Sequence, residues 1–199
     1  YPTPIVVAAA AIPDEPEFVF YRYPAAPDSA IELGDVDLDV VAQVPIFWAT
    51  GSALSVEPTR GTTQAMLAAR GRRTHTVLDL DYRPSFWTSE AEATATIGAA
   101  VSQATVVVGN REECRVAVGA TDPDAAADAI LERGATLAVV KKGGEGVLVA
   151  TEAGRSTVPP CEVEVVCGLG AGDAFGGALC HGLLAGMSPE DAVRFANAA

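Results

Sequence analysis

Residues 162–186 read EVEVVCGLGAGDAFGGALCHGLLAG, an apolar, β-branched stretch that runs into glycines and then into a segment with a single apolar stripe. The residues up to Val166 predict a strand, and Phe175, Leu179 and Leu183 at helical spacing predict a helix behind it. Between the two lie Gly168, Gly170 and Gly172, with Asp173 in the first helical turn. Glycines let the backbone approach a ligand closely, and the first amides of a helix have no acceptor within it. A strand, a glycine loop and a helix opening therefore predict a corner that holds anions. Asp173 also has a plainer reading, a carboxylate set against the helix dipole for about 0.3–1 kcal/mol. Three glycines alternating just before it cost backbone entropy that a cap does not require, and this favours a loop that something fills.

Two familiar phosphate sites fit poorly. The stretch lacks the GxxxxGK followed by Ser or Thr of a P-loop. A dinucleotide-binding domain is a weaker alternative, because Gly170, Gly172 and Gly176 are spaced GxGxxxG, one residue longer than that fingerprint. The acid to be sought about 20 residues on would be Glu190, but Ser188, Pro189 and Glu190 read as a helix start, not a strand end.

Outward from this corner the chain alternates. Short apolar runs at Ile46–Ala49, Thr76–Leu80, Thr105–Val108 and Leu137–Val140 predict buried strands. Helices are predicted over Pro58–Ala69 with Gly71 as its stop, over Ser89–Gln103, and over Asp124–Arg133 closed by Gly134. Strands joined through helices pair in parallel, so the expected fold is α/β, a doubly wound, mainly parallel sheet with helices on both faces. Leu137–Lys142 and Val147–Thr151 are too close for a helical crossover and predict an antiparallel hairpin turning at Gly143–Gly146. The length fits one domain, residues 1–199. Within it, residues 46–199 are expected to form the α/β core. Residues 1–45, broken by prolines, are expected to form an irregular segment in which Phe18–Arg22 suits an edge strand.

Composition excludes several classes. With 49% hydrophobic and 20% charged residues the chain can bury a core. Thirteen basic against 26 acidic residues leave −13, which repels nucleic acid and anionic membranes. The longest aliphatic run, Ile5–Ile12, is far short of the roughly 20 residues that span a bilayer. Four cysteines without a CxxC pair predict buried, reduced thiols and a cytoplasmic setting. His75 and His181 have no neighbours that suggest a triad or a ligand set, and read as structural.

The segment GAGDAFGGAL, beginning at Gly170, resembles the carboxyl-terminal signature of the ribokinase-like, PfkB-type carbohydrate kinases. Asn110 to Glu113 is similar to that family's NxxE, and Lys141 to Gly146 to its nucleotide-side hairpin, in the same order along the chain. Asp79 to Trp87, DLDYRPSFW, resembles the substrate-side strand end of the branch that acts on a sugar acid in inositol breakdown. Phe20 to Asp28, FYRYPAAPD, and the stretch Thr50 to Arg60 resemble the same branch. The resemblance spans nearly the whole chain. It departs at Cys167, where the family commonly has Asp or Asn. It also implies an internal fragment: the family's first strands, lid and diglycine motif would precede Tyr1, and its last adenine-side elements would follow Ala199.

The resemblance implies ATP-dependent transfer of phosphate to a primary hydroxyl of a small sugar acid, with 5-dehydro-2-deoxygluconate as the implied substrate and Mg2+ as cofactor. Asp173 would be the base, and the amides of Gly170, Ala171 and Gly172 the anion hole. Asn110 and Glu113 would meet magnesium and phosphate through water, Glu113 being the metal-side group; by spacing alone they also read as a helix cap with its capping box. Lys141 would set a charge near the phosphates, with Gly143 and Gly146 permitting close approach; a hairpin needing glycine in its turn explains the latter pair equally well. Arg22 and Arg83 would grip the substrate carboxylate, or be ordinary surface arginines. The resemblance makes residues 1–45 the substrate-side entry segment and residues 46–199 the α/β core with the nucleotide site, and it implies that Gly51 falls on the substrate side and Asn197 on the nucleotide side. Homo-oligomerisation is left open. The competing reading is a truncated remnant that binds nucleotide and catalyses nothing.

Overall fold

A computed structural model describes residues 1–9, 17–163 and 168–199. Its main sheet has six strands in chain order: β3 (Phe47–Thr50), β4 (Thr76–Asp79), β5 (Val106–Asn110), β6 (Leu137–Lys141), β7 (Val147–Thr151) and β8 (Gly154–Val158). The first four run parallel; β7 and β8 return antiparallel. Strands β4 to β7 are mostly apolar because both faces are covered. On one face Leu78, Val107, Val140 and Leu148 pack with Leu67, Ile97, Cys114 and Ile130. These come from α2 (Thr59–Arg70), α3 (Glu90–Val101), α4 (Arg111–Val118) and α5 (Pro123–Glu132). On the other face Val77, Val106, Val139 and Val149 meet Phe175, Leu179 and Val193 of α6 (Ala171–Leu184) and α7 (Pro189–Asn197). Each fully buried Ile or Leu among them contributes about 1.5–3 kcal/mol.

The expected α/β architecture is present, including the tight β6–β7 hairpin, where Lys142 N–H donates to the Gly146 carbonyl at 2.8 Å. Helix ends follow their local chemistry. Gly71, at φ 60°, ends α2, and the Ser89 hydroxyl accepts from the Glu92 amide at the start of α3. Asp122, not Asp124, caps α5. The sequence reading omits β8, whose residues GRSTV carry no apolar alternation, since this last strand of the sheet is mostly exposed.

The strand expected at Phe18–Arg22 is β2 (Glu17–Tyr21), an edge strand of a separate two-stranded ribbon in which it pairs antiparallel with β1 (Ile5–Ala9), Ile5 opposite Tyr21 and Val6 opposite Phe20. The ribbon leaves Ile5, Val6, Val7, Val19 and Tyr21 exposed. A short helix, α1 (Leu38–Gln43), capped by Asp37, leads into β3. Buried Arg70 fixes this junction, giving its guanidinium to the carbonyls of Val44 and Thr74. Among the described residues no helix is long and apolar enough to cross a membrane. Cys114 is buried and Cys180 half-buried, but Cys161 is exposed, against the expectation that all thiols are packed. The strand predicted to end at Val166, and Cys167, lie outside the described residues.

Candidate active site

Parallel pairing brings the carboxyl ends of β3 to β6 to one edge of the sheet, with Thr50 beside Asp79 and Asn110 beside Lys141. The start of α6 faces this edge, and the β1–β2 ribbon covers part of the space between them through Val6 and Phe20. The result is a cavity of about 680 Å³. Val6 and Phe20 of the ribbon are thus part of the cavity lining.

One wall is the glycine loop and the helix opening. Gly170, at φ 82°, turns the chain into α6, and its carbonyl accepts the first helical bond from Ala174 at 2.9 Å. The amides of Gly172 and Asp173 have no acceptor among the described residues, so the helix presents bare donors to the cavity. Asp173 is exposed, lines the cavity and has no hydrogen-bond or ion-pair partner among the described residues. Ala171 is a correction to the expected donor set: its N–H is taken by the Gly168 carbonyl at 3.2 Å, and it does not line the cavity. Behind this wall Gly176 allows α6 to lie on Trp48; a Cβ there would stand 2.8 Å from the indole ring.

The opposite wall is the strand edge. Here Asp79 lies among apolar strands, and burial, aided by the nearby charges of Glu113 and Asp81, pushes its carboxyl up to about 6 against the pull of Lys141. Glu113, 6% exposed, is likewise raised by burial, with Lys141 opposing. The capping box predicted for Asn110 and Glu113 is formed: the Asn110 N–H donates to Glu113 Oε2 at 2.7 Å, and the Glu113 N–H to Asn110 Oδ1 at 2.9 Å. Glu113 nevertheless lines the cavity, whereas Asn110 does not. Lys141 lines it too.

Both predicted arginines reach the same cavity. Arg22 is paired with Asp28, and its guanidinium lies over the Phe86 ring, 4.8 Å from the centroid. Arg83 donates from Nε to Asp81 Oδ1 at 2.9 Å. The Ser52 hydroxyl donates to the other Asp81 oxygen and lies 3.0 Å from the Thr50 hydroxyl.

Four expected residues are placed elsewhere. Gly51 is buried beside β4, where a Cβ would sit 2.0 Å from the Leu80 carbonyl oxygen; its lack of side chain serves packing. Gly146 has the same kind of reason, a φ of 85° and a Cβ position 2.1 Å from the Val158 carbonyl oxygen. Gly143, at φ 61°, turns the hairpin at the surface. Asn197 donates from Nδ2 to the Pro159 carbonyl at 2.8 Å. None of the four lines the cavity. Asp79, Asp81 and Ser52 fall within the resembling segments but carry no role in the sequence reading; the available signal is two acids alternating at a strand end.

Among the described residues no group of three or more His, Cys, Asp or Glu is arranged to hold a metal directly. The arrangement joins an unpartnered carboxylate, free amides and a cation across one cavity, which suits deprotonation of a hydroxyl beside an anionic group.

Comparison with known proteins agrees with this architecture. The chain is 36% identical over 194 residues to the 5-dehydro-2-deoxygluconokinase of Photobacterium profundum, covering 94% of this chain and 58% of that protein. The enzyme of that name from Bacillus subtilis is 28% identical over 190 residues, with the same coverage. The chain thus spans less than two thirds of the length of these relatives. Among solved structures, fructokinase from Vibrio cholerae O395 with bound fructose, ADP and calcium superposes with a TM-score of 0.77 at 29% identity, over 90% of this chain and 60% of that one. A PfkB protein from Polaromonas sp. JS666 gives 0.78 at 27% identity, over 92% of this chain and 61% of that one. The pattern of the pfkB family carbohydrate kinases matches residues 2–199, and the chain belongs to that family.

Proposed function

We propose that this protein is an ATP-dependent kinase for a primary hydroxyl of a small sugar acid, with 5-dehydro-2-deoxygluconate, a compound of inositol breakdown, as its substrate. The observation that carries the reading is Asp173: an open carboxylate, without a partner among the described residues, beside the free amides of Gly172 and its own backbone. The substrate hydroxyl oxygen attacks the terminal phosphorus of ATP, a new O–P bond forms as the bond to ADP breaks, and the hydroxyl proton passes to Asp173. The loop amides stabilise charge on the transferring group, and Lys141 balances the phosphates from the opposite wall. Arg83 and Arg22 bind the carboxylate of the sugar acid.

Glu113 is the residue that would meet magnesium. One of its oxygens is held by Asn110, it lies in the cavity wall, and a cation that retains most of its waters needs few protein ligands. When bound, magnesium neutralises phosphate charge. The partners are small molecules, in keeping with a net charge of −13, and the setting is cytoplasmic. A homo-oligomer would use the exposed ribbon face of Ile5, Val7, Val19 and Tyr21, and sedimentation of Val7→Lys against the parent tests it.

The decisive experiment is phosphate transfer from ATP to 5-dehydro-2-deoxygluconate by this chain and by a form extended at both ends to the length of its relatives. In the extended form Asp173→Asn should lower kcat by about 10²–10⁴-fold with an unchanged melting temperature. Full activity of that variant would remove Asp173 from the mechanism. Because the chain spans 58% of its relatives, a second reading is a nucleotide-binding piece without transfer activity. ATP binding by this chain together with transfer only by the extended form would support it.

A further inference from the structure

The two guanidiniums facing the cavity are held differently. Arg22 is engaged through a terminal nitrogen by Asp28 and lies over Phe86, so part of its hydrogen-bonding edge is already used. Arg83 gives only Nε, to Asp81, and its two terminal nitrogens have no partner among the described residues. That outer edge of the fork is the one that can take a carboxylate by two parallel bonds.

Asp81 is fixed on both sides, by Ser52 at the end of β3 and by Arg83 after β4. Its backbone sits at φ 29°, a region L residues rarely adopt and in which Asp and Asn are tolerated best. Such a conformation persists where the surroundings over-determine it, and here the side-chain bonds to two elements do so. The negative charge of Asp81 also repels a carboxylate approaching along the Nε side, so an acidic ligand is directed to the outer edge of Arg83.

We propose that Asp81, strapped to Ser52, is a positioning residue that presents the outer edge of Arg83 to the substrate carboxylate and so sets the preference for an acidic over a neutral sugar. This rests on the sugar-acid reading of the cavity.

The test uses the extended chain, with 5-dehydro-2-deoxygluconate as the acidic acceptor and fructose as the neutral one. Asp81→Asn keeps size and tolerance of the backbone conformation but loses the charge that tethers Arg83. It should raise KM for the acid about 10–100-fold, leave kcat within about threefold, leave KM for ATP unchanged, and lower the acid-to-fructose ratio of kcat/KM by the same factor as KM rises. Arg83→Lys should show the same signature, and the double variant should be no worse than Arg83→Lys alone, because Asp81 acts through Arg83. Multiplying effects, an unchanged selectivity ratio, or a loss confined to kcat or ATP would overturn the proposal. Asp81→Gly, which suits the backbone but has no tether, serves where Asp81→Asn folds poorly; wild-type KM in that variant would also overturn it. The parent alone reports on the underlying reading: if it does not prefer the acid to fructose, the sugar-acid assignment fails with this inference, whereas a parent that prefers the acid and an Asp81→Asn variant that keeps the preference sink only the role of Asp81.

Discussion

The two walls of the cavity are built on opposite terms. On the helix side Asp173 and the amide beside it are open and have no partner among the described residues, and a Cβ at Gly172 would meet nothing within 4 Å. On the strand side the acids are desolvated or tied: Asp79 titrates near 6, Glu113 is locked in a capping box, and Asp81 is bonded through both oxygens. The same residue types are thus left open on one wall and already bonded on the other, which is the division that the proposed function requires. A base and an anion cradle must be free when the substrate arrives, whereas groups that orient and select must be fixed beforehand.

Glycine breaks this comparison most sharply. Gly51 lies behind the strand side, off the cavity, whereas Gly172 opens the helix side, and a methyl group at each has opposite consequences. At Gly51 the new Cβ would fall 2.0 Å from a backbone oxygen that the neighbouring strand holds in place. Gly51→Ala should therefore cost about 3 kcal/mol, the upper part of the range for overpacking, and lower the melting temperature by roughly 6–12 °C. A melting curve matching the parent's would mean that the end of β3 can shift freely.

Gly51 also marks where sequence reading stops. The fold was legible wherever burial imposes a pattern: the apolar runs of β3 to β6, the glycine stops at Gly71 and Gly134, and the short β6–β7 turn all follow from local chemistry. Strand β8 escaped because an exposed strand needs no apolar alternation, and the ribbon partner of β2 escaped because pairing at a distance leaves no local mark. That Asp173, Gly170 and Gly172 share one wall of the cavity was legible since loop and helix opening are contiguous in the chain. Gly51 and Gly146 read as ligand contacts because a glycine emptied for a ligand and one emptied for a neighbouring carbonyl look alike in sequence. Asp81 could gain a role only once three separate segments were seen together.

The carboxylates extend the comparison with a pH signature. Unfolded, Asp79 loses its proton near its ordinary value of 3.8; folded, it keeps it to about 6. Between those values the folded chain holds a proton that the unfolded chain has released, so this residue makes stability fall as pH rises, and the full cost stands above about pH 6. Asp79→Asn has no charge to desolvate. In metal-free buffer the charge-dependent part of its advantage over the parent, measured by urea unfolding, should be only about 0.5 kcal/mol at pH 4 and approach about 3 kcal/mol at pH 7.5. A constant difference at both pH values would mean that Asp79 is not desolvated in the folded state.

The smallest effect sharpens the comparison most, because stability and activity should part company. Gly172 lies in the first turn of α6 with open space where its side chain would be. Alanine is favoured over glycine within a helix, so Gly172→Ala should leave the fold unharmed or stabilise it by about 0.5–1 kcal/mol. The same methyl group would intrude on the wall where free amides face the cavity, and activity of the extended chain should fall about tenfold or more even though the protein melts no earlier. A glycine kept at a position where alanine would fold better is one whose emptiness is used. Unchanged activity with raised stability would mean instead that the anion sits farther along the loop, toward Gly170.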